Sequence, residues 1–261
     1  QQTVFGGTTD GFVVKYTGAG AKTWGTYIGG TGAEEISCLT LDGSNNIWIG
    51  GKTRSSTAIA TSGSHQSTFA GNDDGFLVKL NSSGVRQYGS YYGGTGNDYC
   101  SGIKLDISGN IYLGGYTSSS NAIATSNSHQ STLGGSNDVF LAKFNGSGVR
   151  QWATYFGGSG SDILGTIETD SNDVVYIAGS TNSATNIATS GSFLNTLIGN
   201  NAFLAKFDPT GTYVTTQTST VCKYTVVTFS AAYTTASTYS WNSGQNTKTI
   251  TTAKPQTYFV K

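Results

Sequence analysis

The chain of 261 residues contains 37 Gly, two Pro and no Met, and its 11 % of charged residues sum to zero formal charge. So little charge excludes the basic surface that nucleic-acid binding needs, and the apolar runs are too short to span a membrane. Hydrophobic residues at 36 %, rich in Tyr, Phe, Val and Ile, exclude a disordered chain; with abundant Gly, Ser, Thr and Asn they predict short strands and tight turns in one or two domains. Beginning Gln1-Gln2 and lacking Met, the chain reads as a processed or excised piece of something longer.

In chain order the first element is a partial unit, residues 5–28, with strands predicted at Phe12 to Tyr16 and in the stretch that follows. Gly29-Gly30-Thr31-Gly32 then opens a repeat that returns as Gly93-Gly94-Thr95-Gly96 and Gly157-Gly158-Ser159-Gly160, a period of 64 residues. Other columns keep that register: Trp24, Tyr88 and Trp152; Asp42, Asp106 and Asp170; Trp48, Tyr112 and Tyr176. Fixed-period self-similarity predicts a propeller, solenoid or array. Each unit reads as four strands. In the second they are one around Ile103-Lys104-Leu105, one at Ile111-Tyr112-Leu113 after the turn 106–110, one at Phe140 to Phe144, and one from Val149 to Phe156. Bulky apolar residues at consecutive positions of the middle strands predict sheets buried on both faces, as in propeller blades. The expected fold is all-β: β-propeller-type four-stranded blades over 1–214 (half-blade 5–28; repeats 29–92, 93–156 and 157–214, about 3.5 in all), then a separate β module at 215–261.

Tyr-Phe-Gly-Gly-Ser-Gly-Ser-Asp at 155–162, the Asp170 to Gly179 hairpin and Ala202 to Phe207 together resemble the bacterial SBBP β-propeller repeat. The resemblance extends from residue 5 to about 213 and implies a secreted or surface-exposed bacterial protein, with no single activity attached. Beyond Thr218 the chain, with Cys222, Trp241 and Tyr258-Phe259-Val260, resembles the short Ig-like or PKD-like modules of Bacteroidota surface proteins. That resemblance implies a partner cysteine for Cys222 beyond Lys261.

Strand counting gives four copies of the third and fourth strands but three of the first and second. The half-blade therefore needs two inner strands, from upstream residues, from another molecule or from residues 219–261. A head-to-tail contact that does not close would propagate into a fibre.

Sites are sparse. His65 and His129 share a repeat position that holds Phe193 in the third unit, which favours a loop side chain tucked against the blade. Two acidic columns, Glu34/Asp98/Asp162 and Asp42/Asp106/Asp170, are the only Ca²⁺ candidates; the second is expected to cap its own turn, since a hard cation wants six to eight oxygens. A carboxylate pair for glycoside hydrolysis is invisible to spacing alone. Cys38 and Cys100, on successive first strands, are a disulfide candidate. Asn81 and Asn145 match the glycosylation sequon at turn positions and read as turns. Lys15, Lys79, Lys143 and Lys206 are expected to snorkel or to meet an acid on the adjoining blade. The long segments such as Thr53 to Asp73 are where binding would reside.

Two functions follow as expectations. The first is a non-enzymatic structural or adhesive protein of the extracellular bacterial surface, partnered by itself or by other surface proteins and needing no cofactor. The second is a carbohydrate-binding or carbohydrate-active propeller recognising polysaccharide.

Overall fold

The computed structural model describes residues 1–189, 192–197, 199–213, 227–230 and 249–252. It divides into two compact units, the first comprising 1–189 and 196–216 and the second 190–195 and 217–261. Every regular element among the described residues is a β-strand.

The first unit holds four antiparallel sheets in chain order. The first pairs β1 (Gly11–Tyr16) with β2 (Lys22–Ile28). The second is β3 (Glu34–Leu41), β4 (Ile47–Thr53), β5 (Asp74–Leu80) and β6 (Arg86–Tyr92), each strand paired with the next. The third repeats that order with β7 (Asp98–Leu105), β8 (Ile111–Thr117), β9 (Asp138–Phe144) and β10 (Arg150–Phe156). The fourth holds β11 (Asp162–Thr169), β12 (Val175–Thr181) and β13 (Asn201–Phe207). The first strand of each of the last three sheets starts at the acid of the Gly-rich corner, several residues before the apolar run that marks it in the sequence.

Turn chemistry explains the hairpins. The first hairpin of each sheet turns through a residue with positive φ at one repeat position: Asn45 (60°), Gly109 (79°) and Asp173 (61°). These are the residue types that tolerate the left-handed region. The second hairpin uses Gly20, Gly84, Gly148 and Gly211, all with φ between 76° and 89°. At three of them a Cβ would also strike an aromatic ring of the preceding sheet: Trp24 over Gly84, Tyr88 over Gly148 and Trp152 over Gly211. The same rings donate hydrogen bonds into the turn beneath, Trp24 to Ser82 O (3.2 Å), Tyr88 to Gly148 O (2.9 Å) and Trp152 to Pro209 O (3.1 Å).

Alternation along the middle strands sends side chains to two neighbours, so each sheet shares one core with the sheet before it and another with the sheet after. Val13 and Ile28 pack against Ile47, Ile49, Phe76 and Val78. Trp48, Leu77 and Tyr92 pack against Ile111, Leu113, Phe140 and Phe144. Tyr112, Leu141 and Phe156 pack against Val175, Ile177, Phe203 and Phe207. Face-to-face stacking of four-stranded sheets in chain order is the arrangement of propeller-like blades. Among the described residues the series is open: Phe12 on the first sheet and Leu204 on the last are both solvent-exposed.

The long connections are not free loops. Gln66 O accepts from Tyr91 N (3.1 Å) and Gln130 O from Tyr155 N (3.0 Å), so each connection lies along the outer edge of its blade's fourth strand. Ile59 and Ile123 anchor these connections, fully buried. At β2 the chain start does the same work, with Gln2 O accepting from Tyr27 N at 2.9 Å. Covered edges resist pairing with foreign strands.

In the second unit β14 (Val227–Ser230) and β15 (Thr249–Thr252) form an antiparallel pair. Cys222, Trp241 and most of the expected Ig-like module lie outside the described residues. No helix among the described residues is long and apolar enough to cross a membrane.

Candidate functional site

The acid column Glu34/Asp98/Asp162 opens the first strand of each blade, directly after the Gly-rich corner. At each corner it meets a second acid column that the sequence reading passed over, Asp10/Asp74/Asp138, which sits at or beside the start of the third strand. The two carboxyl groups flank one glycine: Asp10 and Glu34 across Gly29, Asp74 and Asp98 across Gly93, Asp138 and Asp162 across Gly157. A Cβ on any of these glycines would fall within 2.5–3.1 Å of both acids. Each pair joins the third strand of one blade to the first strand of the next.

Neutral donors hold the pairs, although Asp10 Oδ1 and Asp162 Oδ1 are buried without a hydrogen-bond partner. Asp98 accepts from Gly94 N (2.9 Å), Ser119 Oγ (2.8 Å) and Thr117 Oγ1. Glu34 accepts from Gly30 N (2.9 Å), Thr53 Oγ1 (2.6 Å) and Ser55 Oγ (2.7 Å). Asp74 accepts from Ala70 N (2.9 Å), Gly71 N (2.9 Å) and Gln66 Nε2 (3.1 Å). Gln66 also links the two sides of its corner, because its Oε1 takes the Gly93 N–H at 3.0 Å. Gln2 and Gln130 hold the same place at their corners. The signal for this glutamine was present in the sequence as a recurrence at 2, 66 and 130.

Burial shifts the corner carboxyls upward. Desolvation, with a smaller contribution from the Asp98 charge, raises the Asp74 carboxyl to about 6. Burial likewise raises Asp98 against the pull of its hydroxyl donors, and raises Asp138 against that of its backbone N–H groups. Asp74, Asp98, Asp138 and Asp162 are all fully buried, so no substrate surface reaches them. The arrangement binds blade to blade. Among the described residues no group of three or more His, Cys, Asp or Glu is placed to hold a metal ion.

The second acid column is occupied by its own turns. Asp42 accepts from Ser44 N, Asn46 N and Asn46 Nδ2 at 2.8–2.9 Å, and Asp106 from Asn110 N (2.7 Å) and Asn110 Nδ2 (2.8 Å). Asp170 accepts from Asn172 N (2.8 Å) and Val174 N (3.1 Å), bonds that hold its carboxyl below the usual range. Asn81 and Asn145 cap the second hairpins in the same way.

Two members of the lysine column, expected either to snorkel or to meet an acid on the adjoining blade, find an acid on their own blade. Lys79 pairs with Asp42 (3.4 Å) and Lys143 with Asp106 (3.3 Å), because the third strand runs beside the second and returns to the turn that opens it. Each ammonium lies over an aromatic ring of that second strand, Lys79 over Trp48 and Lys143 over Tyr112. What reaches the next blade is a hydrogen bond, Lys79 to Gly146 O and Lys143 to Pro209 O, both 3.3 Å.

Cys38 and Cys100 line one inter-blade core, and a Cβ on Gly50 would lie 2.8 Å from Cys38 Sγ and 3.4 Å from Cys100 Cβ. Both thiols are free. Burial pushes Cys38 up to about 11. His65 packs against Tyr92 and, on the next blade, Phe144; burial lowers it to about 4, helped by the Arg150 charge. His129 repeats the contact with Phe156 and Phe207, and adds Tyr213 at 4.7 Å.

A small cleft of about 200 Å³ adjoins one corner and is lined by Glu34, Glu35, Lys52, Arg54 and Asp73 among others, while larger concave surfaces lie elsewhere. A cleft of about 540 Å³ is bounded by Asn127, His129, Gln151, Trp152, Thr210 and Tyr213 among others, with no Asp, Glu, Lys or Arg in its lining. A second, of about 610 Å³, lies beside the first sheet and includes Gln2, Tyr27 and Arg86.

Stacked four-stranded sheets and a repeated, sealed corner define an all-β protein of propeller-like blades. Residues 86–121, running from β6 through β8 and across the Gly93–Asp98 corner, match the family model described as SBBP, a beta-propeller repeat. No curated protein matches the chain.

Proposed function

We propose that the chain is a non-enzymatic structural or adhesive repeat scaffold of the extracellular bacterial surface. The observation that carries this reading is the fate of the repeated acids. Each is committed to its own turn or held in a buried blade-to-blade corner, where Asp10 and Asp162 each keep one oxygen without a hydrogen-bond partner; acids recruited for catalysis would need solvent access and a symmetry-breaking partner. What remains at the surface is low in net charge, with exposed ion pairs such as Lys52–Glu35 and Lys104–Glu168, a composition suited to display. The test has two parts, cell fractionation with a specific antibody and a hydrolysis screen over a polysaccharide panel. Recovery in the surface or secreted fraction with no turnover is expected. Cytoplasmic retention, or turnover by the purified chain, would overturn the reading.

A second reading, carbohydrate binding, is favoured by one observation, the uncharged cleft of about 540 Å³ beside Trp152 and Tyr213. Neutral amides, hydroxyls and aromatic rings are the groups that recognise sugars. Glycan-array binding lost in Gln151→Ala but kept by the parent chain would support it.

A further inference from the structure

The two ends of the blade series carry the two halves of an interface that the chain already makes three times. On the backward side of each complete blade, third-strand residues four apart and a fourth-strand tyrosine pack under the preceding sheet: Phe76, Leu80 and Tyr91, then Phe140, Phe144 and Tyr155, all at most 1 % exposed. Their counterparts on the first sheet are Phe12 (68 % exposed), Tyr16 (59 %) and Tyr27 (37 %). On the forward side, Leu77 and Leu141 are fully buried under the following sheet, while Leu204 at the same position of the last sheet is 61 % exposed. The turn glycine agrees, since Gly84, Gly148 and Gly211 each lie beneath an aromatic ring of the preceding sheet but Gly20 has nothing within 4 Å. Among the described residues β1 is also the one third strand without a second strand beside it, and no described residue pairs with its outer edge.

We propose that a second copy of this chain occupies the first sheet, its last blade docking through Leu204 and Tyr176 onto Phe12, Tyr16 and Tyr27 in head-to-tail fashion. The inference deepens the scaffold reading and rests on it only for its biological setting. The match is one of register and chemistry. Forward faces within the chain present an aromatic residue and a leucine (Trp48 with Leu77, Tyr112 with Leu141), and backward faces receive them with Phe, an apolar residue and Tyr. The free forward face has Tyr176 with Leu204, and the free backward face has Phe12, Tyr16 and Tyr27. Because the two surfaces differ, the contact is heterologous, and copies add until the rotation closes a ring or continues as a filament.

Sedimentation velocity of the full chain over a wide concentration range tests this, with Phe12→Glu and Leu204→Glu as the blocking variants. Both positions are exposed, so the substitutions leave the fold intact, as circular dichroism checks. The parent chain is expected to sediment as a growing series of oligomers. Each variant alone stays monomeric, and an equimolar mixture of the two forms dimers and nothing larger, because each variant keeps one working face. A parent chain that is monomeric throughout would overturn the proposal, and would mean that the first sheet is covered from within the same chain or by a different molecule. Association abolished by Phe12→Glu but untouched by Leu204→Glu would overturn it in favour of a symmetric contact. Neither result bears on the surface location or the absence of turnover, which test the scaffold reading separately.

Discussion

Three glycine-to-alanine substitutions that are equivalent in composition should differ widely in cost. At Gly115, on the second strand of the third sheet, a Cβ would sit 1.7 Å from the Tyr99 carbonyl oxygen, 2.8 Å from its carbon and 2.9 Å from the Cys100 Cα. All three atoms are backbone of the neighbouring first strand, which bulges between Cys100 and Gly102 and cannot rotate aside as a side chain does. The same approach recurs at Gly51 (1.9 Å from Glu35 O) and Gly179 (2.0 Å from Ile163 O), where the partner strands bulge too. Overpacking against yielding side chains costs ~1–3 kcal/mol, so a clash with backbone should cost Gly115→Ala at least about 3 kcal/mol. Gly109 has open space but φ of +79°, where an L residue is disfavoured by roughly 1–2 kcal/mol. Gly43 meets nothing within 4 Å and has ordinary φ, so Gly43→Ala should be neutral or slightly stabilising. Urea denaturation followed by tryptophan fluorescence reads the series as midpoint shifts at constant m. Gly115→Ala within about 0.5 kcal/mol of the parent, or Gly43→Ala as damaging as Gly115→Ala, would refute the strand placement and the bulge with it.

Three further outcomes are expected. Lys143→Met removes the cation beside buried Asp106 and should cost on the order of 3 kcal/mol, whereas Lys15→Met, exposed and without a carboxylate partner, should change the denaturation midpoint little. Asp74 holds its proton up to about 6 when folded, against 3.8 as its ordinary value, so its contribution to stability is present at low pH and is lost as pH rises through 6. Relative to Asp74→Asn, in which this contribution is missing, the parent's unfolding free energy should therefore fall as pH rises from about 4 to about 7; a difference between the two that does not change with pH would count against the buried corner. Ala122 sits at φ 65°, and Ala122→Gly should leave the melting temperature unchanged or raise it, by up to about 1 kcal/mol of stability.

Much of this architecture was legible because the repeat displays it several times over. The 64-residue register placed the strands, and the Asp and Asn turn residues marked the hairpins, since their side chains act locally on the next few N–H groups. The corner was less legible. Asp98 stood out beside its Gly-Gly-Thr-Gly motif, but its companion Asp74 follows Asn72-Asp73 in what looks like loop, and only the fold brings it across Gly93. For Lys79 the alternatives read from the sequence, snorkelling or an acid on the adjoining blade, left out the acid on its own blade, because sequence distance hides that β5 returns beside the turn at Asp42. The bulges at Ser37, Ser101 and Gly165 shift each first strand's register by one residue, and nothing in the local apolar pattern announces them. Likewise the long connections read as binding loops by composition, yet Gln66 and Gln130 hold them as edge covers through backbone bonds that composition does not encode.

Among the described residues the stacked blades leave the outer face of the first sheet uncovered, and native amide hydrogen exchange, read by mass spectrometry on dilute chain, tests this most directly. The third strands are the informative peptides. β5 and β9, paired on both sides and buried on both faces, should be the slowest to exchange, while β1, with one unpaired edge and an exposed Phe12, should be the fastest of the series. Protection of residues 11–16 equal to that of 74–80 and 138–144 in the dilute monomer would contradict the account, because the first sheet would then be covered within its own chain.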